Sequence, residues 1–363
     1  MFRVRLIEHP MPTGSKDPDV LLAWILDSMG LVRWKAEGTT VDEEQGAIHR
    51  IIMQTFLEDP LIGWDNAAIA DFSGLSMTGV HNQMQKLREA GIIASKLSGR
   101  WHVNVLRGGS MAKAMELVSA QTRVIAKMRL EELGEIIRPS KNRMNVDSDD
   151  SNEIFRIDIS EAGPTPDGGD RLDAWIIDIG IAGDRVKPGD DLPRRVLIEL
   201  AESERPLTLQ TLSDRMQSTR SRVQRIIERL RDAGIIERVA MRDRIAMDVY
   251  AGLMRQYNAR GEEWLLGRGG LSRLDESVSK ALILGVKKDN LNIEKVEEIL
   301  NPIPIENQRV LLNTLGGRMP YGYRVAGSDS EVVTERVMQM IERNLRRLRT
   351  VAKRLDDSIK DNL

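Results

Sequence analysis

The stretch Thr219-Arg220-Ser221-Arg222-Val223-Gln224-Arg225-Ile226-Ile227-Glu228-Arg229-Leu230-Arg231 separates into two faces at helical spacing. Val223, Ile226, Ile227 and Leu230 form an apolar side, and Arg220, Arg222, Arg225 and Arg229 project from the other. A guanidinium forks onto phosphate oxygens and onto the edge of guanine, so this face has the composition of a nucleic-acid contact, with Ser221 and Gln224 as further hydrogen-bonding groups. Glu228 alone opposes the four cations on the exposed part of the helix, so ion pairing along a solvated face does not account for them. Arg242 and Arg244, preceded by Arg238, fall where a hairpin turn is expected. A second, less basic set lies on residues 77–90: Thr78, His81, Asn82 and Gln85, with Lys86 and Arg88, and Arg100 in the hairpin that follows. Asn and Gln pair bidentately with adenine. A copy that has lost its ligand, or one that binds protein, has the same composition.

Other chemistries lack their residues. The chain has no cysteine, which removes disulfides, thiolate zinc sites, iron–sulfur clusters and a cysteine nucleophile. His9, His49, His81 and His102 have no ligand spacing, and no glycine-rich phosphate loop of either common type is present. No enzyme activity, cofactor or metal is expected. No apolar run approaches the roughly 20 residues that span a bilayer, and Met1 to Pro12 lacks the apolar stretch of a signal peptide, so the expectation is a cytoplasmic protein. Of the 363 residues 30% are charged, yet the net charge is only −2, so any nucleic-acid contact must rest on local basic surfaces.

The elements that position these residues occur twice. Phe2-Arg3-Val4-Arg5-Leu6-Ile7-Glu8 is echoed by Phe155-Arg156-Ile157-Asp158-Ile159-Ser160-Glu161, and Ala23-Trp24-Ile25-Leu26-Asp27 by Ala174-Trp175-Ile176-Ile177-Asp178. Leu87-Arg88-Glu89-Ala90-Gly91-Ile92-Ile93 returns as Leu230-Arg231-Asp232-Ala233-Gly234-Ile235-Ile236, and Arg107-Gly108-Gly109 as Arg268-Gly269-Gly270. A repeat of this length is a domain, not a solenoid unit. The pattern places a strand at 2–8 and helices at 17–32, 43–58, 65–72, 77–90 and 111–137, with a hairpin over 92–106 and a loop at Gly38 to Asp42. In the second copy the helices fall near 170–181, 191–203, 208–215 and 219–233, with a hairpin at 235–249. Trp24 and Trp175 read as core anchors; Trp101, on a wing strand, reads equally as core or as a stacking platform.

The expected class is mainly α with small β-hairpin wings (α+β). Residues 1–137 form a first repeat and 154–275 a second. Between them, 138–153 form an acidic linker, with Asp149-Asp150 serving solvation. Residues 276–329 make a candidate degenerate third unit. Residues 330–363 form a long helix whose Ile341, Leu345, Leu348, Ala352, Leu355 and Ile359 trace a coiled-coil seam.

Helix, helix, turn, helix and two-stranded hairpin make up the winged helix-turn-helix pattern. Through Ile69-Ala70-Asp71-Phe72-Ser73-Gly74-Leu75-Ser76, Leu87-Arg88-Glu89-Ala90-Gly91-Ile92-Ile93 and their second-copy equivalents, residues 45–106 and 192–249 resemble prokaryotic winged-helix regulators of the MarR and ArsR type, in an archaeal version. The resemblance implies a transcription factor that binds double-stranded DNA and forms a homodimer through a long terminal helix, here the 331–360 seam. The covalent doubling departs from that pattern, as do the strand and Ala-Trp-Ile helix before each winged unit. A protein-interaction scaffold and a replication or chromosome-maintenance protein remain the alternative uses of the same fold.

Overall fold

A computed structural model describes residues 1–32, 46–140, 154–163, 170–183 and 189–362. The loop expected at Gly38 to Asp42, the start of the 43–58 helix and the linker beyond Ser140 lie outside the described residues. The first half runs β1 (Arg3–Ile7), α1 (Pro18–Ser28), α2 (Ala47–Ile51, continued by a π-helical turn, Ile52–Phe56), α3 (Asn66–Ser73), α4 (Met77–Glu89), β2 (Ile93–Ser98), β3 (Trp101–Leu106) and α5 (Met111–Glu131). The second runs β4 (Arg156–Ser160), α6 (Arg171–Asp178), α7 (Leu192–Glu202), α8 (Leu209–Met216), α9 (Arg220–Asp232) and β5 (Ile236–Ala240). Four helices follow, α10 (Arg242–Gly267), α11 (Glu276–Lys287), α12 (Ile293–Leu300) and α13 (Ile305–Thr314), and then β6 (Tyr321–Val325) and α14 (Ser330–Asn362). The helices start where side chains satisfy free backbone N–H groups: Asp17, Asp65, Ser76, Ser110 and Thr208 all accept such bonds. Gly91 and Gly234, both at φ 74°, end α4 and α9 in the left-handed conformation that glycine adopts freely.

Two of the contacts between the halves join elements at matching places in each. β1 and β4 pair antiparallel, from Arg3 opposite Ser160 to Ile7 opposite Arg156. The register centres on Arg5 opposite Asp158, which occupy matching places in the repeated strand sequence. Asp158 is 3% exposed. Arg5 donates to both its oxygens (Nε–Oδ1 2.6 Å, Nη2–Oδ2 2.8 Å), and Arg3 adds a bond of 3.1 Å. Phe2, Val4, Leu6, Phe155, Ile157 and Ile159 are all buried around the ribbon.

The second contact joins α5 to α14, which run antiparallel. Asp356 accepts from the Met111 and Ala112 N–H groups at one end, and the Thr334 hydroxyl bonds Leu130 O at the other. Arg123 and Glu342 pair at the centre. The seam expected to recruit a second chain is therefore covered within this one: Ile341, Leu345, Leu348, Ala352 and Leu355 are buried and Ile359 partly so. The reason is that α5 supplies its own apolar stripe, including Met115, Val118, Ile125 and Ala126.

The second wing departs from expectation in its partner. Residues 235–249 do not form a hairpin. β5 pairs instead with β6, Ile236 opposite Val325 and Ala240 opposite Tyr321. Residues 242 onward turn helical, because Ile245, Ala246, Val249 and Leu253 recur at helical spacing and build a core of their own with Leu282, Val296 and Leu312. Residues 276–329 form three helices and one strand, with no hairpin of their own among the described residues. Their three helices belong to this inserted subdomain, and their strand closes the second wing. The echo of Arg107-Gly108-Gly109 in Arg268-Gly269-Gly270 has no structural counterpart either. The segment between wing and long helix in the second half is Ala326-Gly327-Ser328, before the cap Asp329.

Two outcomes follow from this architecture. Arg123 holds the Glu342 carboxyl below the usual range, chiefly by a hydrogen bond. Its contribution is complete above the unfolded carboxyl value of about 4.3 and vanishes as the pH falls through the lower folded value. Urea midpoints of the protein and of Glu342→Gln should therefore differ by a constant amount at neutral pH and converge below about pH 4. Separately, replacing residues 241–320 with a two-residue Asn-Gly turn should leave a cooperatively folded chain. The inserted core is distinct, and Ala240 and Tyr321 stand opposite each other as a two-residue turn requires. Loss of the unfolding transition in calorimetry would contradict this.

Candidate nucleic-acid interface

The α9 helix lies across α8 with Val223, Ile226, Ile227 and Leu230 buried. On its outer side Arg220, Ser221, Arg222, Gln224, Arg225 and Glu228 are exposed. Arg222 reaches both oxygens of Asp190 (3.1 and 3.0 Å), Arg225 Nε donates to Ser221 O at 3.2 Å, and Gln224 donates to Glu228 at 2.8 Å. Arg220 has no acidic partner among the described residues.

Arg229 is placed differently from the sequence reading. Its guanidinium turns inward and donates to Ile181 O (3.1 Å) and Ala182 O (2.9 Å). Gly183, at φ 85°, lets it approach; a Cβ there would overlap the guanidinium. Arg242 and Arg244 are likewise not in a wing turn but open α10, because the chain becomes helical immediately after β5. On the second wing Arg238 stacks 3.5 Å from the centre of the Tyr321 ring, a contact hidden from the sequence because the two residues lie on strands far apart in the chain. Burial pushes the Asp232 carboxyl at the end of α9 up, against the pull of Arg156 and Arg231.

In the first half, α4 buries Val80, Met84 and Leu87 and exposes Thr78, His81, Asn82, Gln85 and Lys86. Gln85 donates to Glu89 at 2.9 Å. His81 and Gln85 also border an open cleft of about 520 Å³ shared with Arg88, Arg107 and Glu161. The wing is a tight hairpin, Ser98 opposite Trp101, so Gly99 and Arg100 form its two-residue tip. Arg100 is exposed. So are Leu97 (69%) and Trp101 (76%), on opposite faces of the hairpin; Trp101 is not a core residue. In each half a residue just before the middle helix of the three, α3 or α8, extends the wing sheet: Trp64 bridges Asn104, and Leu207 bridges Tyr323. No group of three or more metal-ligating side chains occurs among the described residues, and no described helix is long and apolar enough to cross a membrane.

The MarR family model matches residues 192–243, the segment from α7 through α9 and β5 to the start of α10. No curated protein matches the chain, and no solved structure matches it. Residues 192–243 are thus similar to the MarR family of winged-helix proteins.

Arg229→Ala should lower stability by about 1.5 kcal/mol, since two charge-assisted bonds to carbonyls are lost. Chemical denaturation reads this directly. An unchanged midpoint would mean that the inward guanidinium contributes nothing.

Proposed function

We propose that this chain is a non-enzymatic transcription regulator that binds double-stranded DNA. We further read it as an internal duplication whose two winged-helix halves stand in for the two subunits of a dimer. The observation that carries the proposal is the exposed row Arg220, Arg222 and Arg225 on α9, within the segment similar to the MarR family. A protruding helix of this width fits the major groove, where arginine reaches phosphate and guanine together. Ser221 and Gln224 belong to the same contact, and Thr78, His81, Asn82, Gln85 and Arg100 to a second one in the first half. Arg229 is withdrawn from the contact set, because its donors are used inside the chain. The pairing of α5 with α14 supports internal dimerisation over recruitment of a second chain through that seam.

A protein partner at the first wing is the second reading. It is favoured by the exposure of Leu97 and Trp101, which a purely electrostatic wing does not need.

The triple variant Arg220→Ala, Arg222→Ala, Arg225→Ala tests the main reading. Duplex affinity should fall at least tenfold, and the slope of log affinity against log salt should become shallower by about 2–3. Unchanged retention on duplex DNA would remove α9 from the interface.

A further inference from the structure

Resting on that DNA-binding reading, we infer that the target is a non-palindromic duplex with two unlike half-sites, adenine-type under α4 and guanine-type under α9, bound in one orientation. Three observations converge on this.

The first is the charge at the centre of each of the two matched contacts between the halves. Arg5 faces Asp158, its own counterpart, at the middle of the ribbon. Arg123 faces Glu342 at the middle of the α5–α14 pair, and these two stand equally far along the chain from their capping residues Ser110 and Asp329. Pairing two copies of the first half would set Arg5 against Arg5 and Arg123 against Arg123. Pairing two copies of the second would set two buried aspartates together. Like charges opposed at such contacts destabilise the pairing. Both central positions carry a cation in the first half and a carboxylate in the second, so first halves select second halves. Every binding unit then presents one α4 and one α9.

The second is their placement. The end of α4 lies at one end of the ribbon, with Gly91 against the Phe2 ring. The end of α9 lies at the other, with Asp232 beside Arg156, the residue opposite Ile7. At about 3.4 Å per residue, these ends of the ribbon are about 17 Å apart. The arrangement is that of a symmetric reader, in which each helix takes its own half-site.

The third is chemistry. Aligned on their capping residues, Asn82 matches Arg225 and Thr78 matches Ser221. Asn pairs bidentately with adenine, and Arg with guanine. The flanks also differ: the first wing ends in the Gly99-Arg100 tip, whereas the inserted helical subdomain replaces the tip of the second.

The full chain should be challenged with a randomised duplex library of about 40 base pairs, long enough for half-sites one or two turns apart. The expected product is a motif of two dissimilar half-sites. Asn82→Ala with Gln85→Ala should lower discrimination in one half by tenfold or more, and the Arg220, Arg222, Arg225 triple alanine variant in the other only. Hydroxyl-radical footprints should extend farther beyond the guanine-type half. A palindromic motif, or a footprint symmetric about its centre, overturns the inference while leaving DNA binding intact. No enrichment, with no duplex retained at low salt, overturns the DNA-binding reading and this inference with it.

Discussion

A buried carboxylate must have a cation, and Asp158 has its cations on the other half of the molecule. Removing charge from water costs several kcal/mol per ion unless a well-placed partner restores it. Arg5 supplies a bidentate partner and Arg3 a third bond. The β4 strand therefore cannot be buried without β1 beside it. Two short strands alone are marginal in water. Here they are held because α5 packs on β4 and α14 on β1, while the two helices pack on each other. The ribbon and the helix pair thus form one central body between the α2–α4 and α7–α9 helices.

The same body explains how a large insertion is accommodated. The inserted helices leave and rejoin the chain at Ala240 and Tyr321, residues that already face each other across the wing. Closing a loop grows costly only slowly with its length. The inserted segment also folds around its own core, so it places little strain on the strands. Register is held independently: Glu237 and Arg324 face each other across the wing, both nearly buried, and Arg336 of α14 binds the second oxygen of Glu237 at 2.7 Å. A slip by one residue would separate this pair and turn the strand's apolar side outward.

Most local elements were legible in the sequence because their signals are local. Caps such as Ser76 and Thr208, the stops at Gly91 and Gly234, and the apolar spacing of Val80, Met84 and Leu87 are of this kind. The helices expected at 65–72, 77–90, 191–203, 208–215 and 219–233 match α3, α4, α7, α8 and α9 within a residue, whereas those expected at 17–32, 111–137 and 170–181 overrun α1, α5 and α6, which end at Ser28, Glu131 and Asp178. The long-range pairings were not legible. Nothing near β5 names a partner eighty residues on, and the helical spacing from Ile245 onward was the signal that a local hairpin was wrong. The α14 seam was readable as a seam, but periodicity does not say whose helix fills it. Arg229 followed the outward face of α9 by its position on the helix and was misplaced by a loop from another part of the chain, at Gly183. Arg238 and Tyr321 show the same limit.

The electrostatics of the α9 face bear on how it would discriminate. Arg222 is already engaged by Asp190, so a phosphate must displace a carboxylate to reach it. That competition weakens contact with any backbone and is relieved only where the remaining groups, Arg220, Gln224 and Arg225, find matching partners as well. With a net charge of −2, the chain has little long-range pull on a polyanion to offset the loss. Phosphate attraction is the part of binding that ignores sequence. On the proposed DNA-binding reading, a face with one arginine held in reserve, on a near-neutral molecule, would shift the balance from that part toward base contacts.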